Sequence, residues 1–121
     1  MSDPRASAVR RLARLLAQLQ LPEVSEGTSY GAPAFKVRDK SFVVVRDPQV
    51  LVLMLPLEHK QLLLEMAPDI YYETDHYKGW PAVLVRLEVI DDAELAHRLT
   101  EAWRHKAPKR LAASYDAGRT R

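Results

Sequence analysis

The residues best suited to chemistry crowd between Tyr72 and Leu87, where the chain reads Y-E-T-D-H-Y-K-G-W-P-A-V-L-V-R-L. A histidine beside carboxylates, His76 with Asp75 and Glu73, is the pairing that does general acid-base work near neutral pH or contributes to a metal site. Glu26, Tyr30 and Lys78 are the further groups an enzyme would recruit, yet no spacing ties them to His76. G-x-S-x-G, P-loop and Rossmann fingerprints are absent. His59, His76, His97 and His105 show no close helical ligand pair and no H-E-x-x-H spacing. The other acidic group, Asp91, Asp92 and Glu94, has capping-box spacing at Asp91 and Glu94, which already gives those two a structural task. The expectation is a binding module, with no catalytic residue, no metal ligand and no resident cofactor.

Two binding surfaces are legible. Lys36, Arg38, Lys40 and Arg46 fall on or beside two expected hairpin turns, and Arg10, Arg11 and Arg14 share the first helix; such cations grip phosphates without reading sequence. Charge is distributed unevenly. Residues 1–20 hold four Arg against Asp3, residues 101–121 hold six Lys or Arg against Glu101 and Asp116, and the middle has eight basic and thirteen acidic groups. Basic ends can mark an anionic partner such as DNA, or can be solvated helix faces. The acidic middle and the lack of a helix-turn-helix pattern weigh against DNA. The alternative is a small-molecule or protein interaction domain, with a pocket between the Tyr30-Gly31 loop and the segment bearing His76, Tyr77, Lys78 and Trp80. That reading requires the two loops to meet at one edge of a sheet.

The elements that must position these groups follow from periodicity. At 121 residues the chain fits one domain able to bury a continuous core, and with no cysteine it has neither disulfides nor thiolate sites. No stretch resembles a signal peptide or reaches ~18 apolar residues, so a soluble cytoplasmic protein is expected. Val9, Leu12, Leu16 and Leu19 are at helical spacing over residues 7–20, and Pro22 ends that helix. Residues 22–33, with Gly27, Gly31 and Pro33, read as an ordered loop. Three strands follow, at 35–38, 41–46 and 50–55, turning at Asp39-Lys40 and at 46–49. Residues 58–66 read as a helix with Leu62, Leu63 and Met66 inward, stopped before Pro68. Strands at 70–74 and 82–87 enclose a bend at Gly79 and Pro81; Val83, Val85 and Leu87 share one face and Arg86 takes the other. Asp91 starts a helix whose inward stripe is Leu95, Leu99, Ala102 and Trp103, and Pro108 fits the first turn of a last short helix through Ala113.

In this order and spacing the chain resembles the MmcQ/YjbR family of small bacterial proteins. The residues that carry the resemblance are Pro22-Glu23-Val24, the run from Gly27 to Gly31, the run from Pro33 to Val37, Lys40 and Phe42. They continue with His76-Tyr77, Gly79, the run from Pro81 to Leu87, Ala102-Trp103 and the run from Ala107 to Leu111. Asp39 departs from the pattern, standing where related sequences often have glycine, so a different turn type is expected there. The resemblance implies an α+β fold, described as double-wing and likened to bacterial frataxin: one antiparallel sheet of about five strands with helices packed against it. The resemblance runs from the first helix to about Leu111; the domain is expected over residues 1–115, and D-A-G-R-T-R from Asp116 reads as a flexible C-terminal tail at 116–121. Members are commonly labelled DNA-binding, which makes nonspecific DNA the implied partner, although a fold alone does not establish a function.

Overall fold

A computed structural model describes residues 3–119 of the chain. In chain order the elements are α1 (Ala6–Leu19), β1 (Val24–Ser29), β2 (Ala32–Val37), β3 (Lys40–Asp47), β4 (Val50–Met54) and α2 (Leu57–Met66), then β5 (Tyr71–Tyr72), a 3-10 turn (Asp75–Tyr77), β6 (Ala82–Arg86), α3 (Asp92–Lys106) and α4 (Lys109–Arg119). The six strands form one antiparallel sheet in the order β1-β2-β3-β4-β6-β5, with helices packed on one face. This is the α+β single-sheet architecture expected, with one strand more.

The extra strand is β1, where an ordered loop was expected. None of its residues is buried and half are exposed, so no apolar alternation announces it. It is held instead by the backbone ladder to β2, from Val24 opposite Val37 to Ser29 opposite Ala32. The connecting turn consists of Tyr30 (φ 49°) and Gly31 (φ 81°), the two left-handed residues that suit a tight hairpin. The next hairpin turns at Arg38 and Asp39, and Arg38 (φ 57°) takes the left-handed conformation. β5 is shorter than expected, two residues in place of residues 70–74.

The core lies between sheet and helices. α1 contributes Ala8, Leu12, Leu15 and Leu16, and ends at Gln20, whose left-handed backbone lets its N–H return to the Leu16 carbonyl at 3.1 Å. α3 contributes Leu95, Leu99, Ala102 and Trp103, all fully buried, as their spacing predicts. Asp91 caps α3 by accepting from the Glu94 N–H at 2.8 Å. Phe35, Val45, Leu53, Val83, Val85 and Leu87 meet these helices from the sheet, and the Trp103 indole N–H donates to the Pro22 carbonyl at 3.0 Å.

Two further expectations are corrected. α4 does not fray at Asp116: Tyr115 packs edge-on against Trp103 at 5.3 Å, Arg104 pairs with Asp116, and the helix continues to Arg119. The tail expected over 116–121 is therefore helical as far as it is described, and residues 120–121 lie outside the described residues. In α2, of the three residues expected inward only Leu63 is buried; Leu62 and Met66 are 56% and 73% exposed, and Lys60 takes the inward place.

Candidate functional site

The sheet face away from the helices carries no helical layer among the described residues. The strand pairing aligns Gly27, Ala34, Val44, Val52, Leu84 and Tyr72 in one row across all six strands. Residues directly opposite one another share a face, so this row defines the open side. Val52, Ala82 and Leu84 are buried there beneath Met54, Tyr72 and Tyr77. Lys36, Arg46 and Arg86 occupy the same face. The Arg86 guanidinium stacks 4.1 Å from the Tyr72 ring centre, Arg46 lies 5.7 Å from that of Tyr77, and the Lys36 stem crosses Gly27. Among the described residues, Asp47 is the one carboxylate at a strand position on this face. It sits at the end of β3, and its Oδ1 accepts from the Gln49 N–H at 2.9 Å.

The cations read from the sequence as one grip are scattered by the fold. β3 is eight residues long, so the turns at its two ends are about 25 Å apart. Lys36, Arg38 and Lys40 lie toward one end of β3 and Arg46 at the other, so the two hairpin tips form no single cluster of charge. Arg11 is consumed structurally: it donates to Asp92 Oδ1 at 2.8 Å and to the carbonyls of Leu87 and Ile90 at 2.9 and 2.7 Å. Arg14 shares Asp92 at 3.0 Å, and the two guanidiniums hold that carboxyl below its usual range. Arg38 makes a double contact with Glu23 at 2.8 and 3.2 Å, which lowers the Glu23 carboxyl. Arg10, Lys40 and Arg46 are exposed, with no ion pair among the described residues.

The pocket expected between Tyr30 and residues 76–80 does not form. Tyr30 turns between β1 and β2 at one edge of the sheet; His76 and Tyr77 lie between β5 and β6 at the other edge and at the opposite end of the strands. Tyr30 is fully exposed and Trp80 is 65% exposed. His76 makes an edge-on contact with Tyr77 at 4.8 Å. What fixes this segment is Lys60, which the sequence did not flag. Its ammonium, fully buried, donates to the Tyr77 and Trp80 carbonyls at 2.7 and 2.9 Å and faces Glu73 Oε1 at 2.9 Å. Two hydrogen bonds to carbonyls and one ion pair thus surround the ammonium.

A second polar network was also missed. The Tyr71 hydroxyl, in the core, donates to Glu94 Oε2 and accepts from Arg98 Nε at 2.9 Å; Arg98 also donates to Glu101 Oε1 at 2.6 Å. Burial, reinforced by the Glu94 contact, pushes the Tyr71 phenol up, so it stays protonated. The i, i+4, i+7 spacing of Glu94, Arg98 and Glu101 on α3 was the available signal, since such positions share one helix face. Among the described residues no group of three or more His, Cys, Asp or Glu is placed to hold a metal ion, and no helix is long and apolar enough to cross a membrane.

The family model described as YjbR matches residues 19–105, from the end of α1 almost to the end of α3. The chain belongs to the YjbR family. Uncharacterized proteins of Mycobacterium bovis and of two strains of Mycobacterium tuberculosis are each 43% identical to it over 56 residues. Each match covers 46% of this chain and 43% of the relative, so less than half the length of those proteins is aligned. No solved structure matches the chain. Both networks described above fall inside the YjbR match, as do β1 to β6; α4, which covers Trp103 through Tyr115, lies beyond it.

Proposed function

We propose that this YjbR domain is a binding module, not an enzyme, that holds DNA nonspecifically in the cytoplasm through the helix-free face of its sheet. The observation that supports the reading is the charge of that face: Lys36, Arg46 and Arg86 stand on it, against Asp47 at its rim. Exposed Lys40 and Arg10 add diffuse attraction, whereas Arg11 and Arg38 already have carboxylate partners. Tyr72 and Tyr77 beside the cations offer ring faces on which an unpaired base can stack. Cations that replace condensed counterions give affinity without sequence choice.

The test is fluorescence anisotropy on two unrelated duplexes and one single strand across a salt series. Neutralising three phosphates predicts a log–log salt slope of ~2.7 on duplex and ~2.1 on single strand. Lys36→Ala/Arg46→Ala/Arg86→Ala should weaken all three ligands by a similar factor and flatten the slope, while Arg38→Ala should change little. Undetectable binding at low salt, or a triple variant that keeps its fold by circular dichroism and binds like the parent, overturns the proposal.

A further inference from the structure

On the helix side of the sheet, remote from the open face, α2 and α3 leave a groove of about 420 Å³. One wall is apolar: Leu62 and Met66 are large, exposed and covered by nothing else among the described residues. The facing wall is the Glu94, Arg98 and Glu101 stripe of α3, with His59 beside it. The polar wall is held rigidly, because Tyr71 fixes Glu94 through Oε2 and Arg98 fixes Glu101 through Oε1. This leaves Glu94 Oε1 without a hydrogen-bond donor among the described residues, and Glu101 Oε2 with His59 Nδ1 at 3.7 Å as its near neighbour. Two carboxylates and one guanidinium give the wall a formal charge of −1 with His59 neutral.

We propose that this groove binds a small organic cation, an aliphatic or aromatic amine whose apolar body lies on Leu62 and Met66 and whose ammonium meets the uncommitted oxygens of the carboxylate wall, Glu94 Oε1 or Glu101 Oε2. The volume falls in the range of small-molecule sites, roughly 300–1,000 Å³. An anionic ligand is disfavoured because Arg98, the one cation of the wall, already serves Glu101 and the Tyr71 hydroxyl, so a ligand carboxylate would meet two carboxylates. An ammonium instead gains charge-assisted hydrogen bonds to the uncommitted oxygens. A neutral apolar ligand would leave those oxygens facing it unpaired as it displaced their water.

The experiment is a methyl and amide NMR titration of the full chain with phenethylamine, against 3-phenylpropionate, similar in size and opposite in charge. Shifts should be confined to Leu62, Met66 and residues 94–101 and should saturate with a dissociation constant on the order of 1 mM, reasonable for so small a probe. 3-Phenylpropionate should bind at least ~10-fold more weakly, a gap of about 1.4 kcal/mol. Glu94→Gln/Glu101→Gln should remove that preference, and Leu62→Ala, at an exposed site that leaves the network intact, should weaken the amine severalfold. Equal binding of both probes, or shifts scattered over the surface, overturns the proposal. So does a concentration-dependent dimer dissolved by Met66→Glu, which would make the groove an interface between copies. Failure of DNA binding on the open face has no bearing on these outcomes.

Discussion

Lys60→Met should be among the most damaging single changes away from the apolar core. Methionine keeps most of the volume, so the effect isolates the ammonium. Removing it strands the Glu73 carboxylate, whose Oε1 is buried and accepts no regular hydrogen bond. The Tyr77 and Trp80 carbonyls lose their donor as well. Breaking one partner of a buried pair costs roughly 3–5 kcal/mol. The Glu73 side chain is 23% exposed, so water can reach part of it and the lower half of that range is expected. Against a total stability of ~5–15 kcal/mol this is a large fraction. For a domain of this length each kcal/mol moves Tm by ~3–6 °C, so a fall of about 9–24 °C is expected.

The discriminating measurement is a urea-unfolding cycle of Lys60→Met, Glu73→Leu and the double variant. Glu73→Leu leaves an ammonium that still has two carbonyls, and should cost less than Lys60→Met. The double variant should recover at least ~1 kcal/mol relative to the sum of the singles, because it strands neither charge. A Lys60→Met midpoint equal to that of the parent, or strictly additive variants, would refute the assignment of Lys60 and Glu73 as a mutually dependent pair.

Two further outcomes follow from the core and from a neighbouring histidine. Trp103→Ala should cost ~3–5 kcal/mol in urea unfolding, since the ring is fully buried, holds the Pro22 carbonyl and supports Tyr115; parent-like unfolding would defeat its place in the core. His105 is lowered from its ordinary 6.5, chiefly by burial and then by Lys106 and His59. As pH falls through 6.5 the unfolded chain takes up a proton that the folded state resists, so stability should drop on acidification toward the folded pKa, and His105→Gln should flatten that limb of a pH series of melting curves.

Much of the fold was legible because it obeys a simple period. α1, α3 and the β2-β3-β4 meander announce themselves by apolar spacing and turn residues, and Asp91 caps α3 where its spacing with Glu94 says it should. β1 was illegible because an exposed edge strand draws its stability from the partner ladder, which carries no residue signature, and because one of its turn residues is Tyr30, not glycine. The length of α4 depends on Tyr115 meeting Trp103, a contact that local pattern cannot foresee. The site was harder still. Arg11 and Arg38 read as free cations since nothing local places Asp92 or Glu23 beside them. Arg86 was the recoverable signal: it breaks the apolar run of β6 on the side away from Val83 and Val85, where a wholly buried strand would carry none.

The two residues of α2 that the sequence places inward and the fold places outward connect the Lys60 latch to the groove. At ~100° per residue, Leu62, Leu63 and Met66 centre on one side of the helix and Lys60, Leu63 and Ala67 on a side about a quarter turn away. Apolar pattern alone would turn the first set to the core. Seating Lys60 against Glu73 and the Tyr77 and Trp80 carbonyls instead turns the second set inward, with Leu63 common to both. Leu62 and Met66 are left facing the Glu94, Arg98 and Glu101 stripe. The exposed apolar wall is thus the geometric consequence of a buried charge: the oxygens that hold the segment before β6 in place also set the rotation of α2, and the groove exists because that rotation won over the burial of two large apolar side chains.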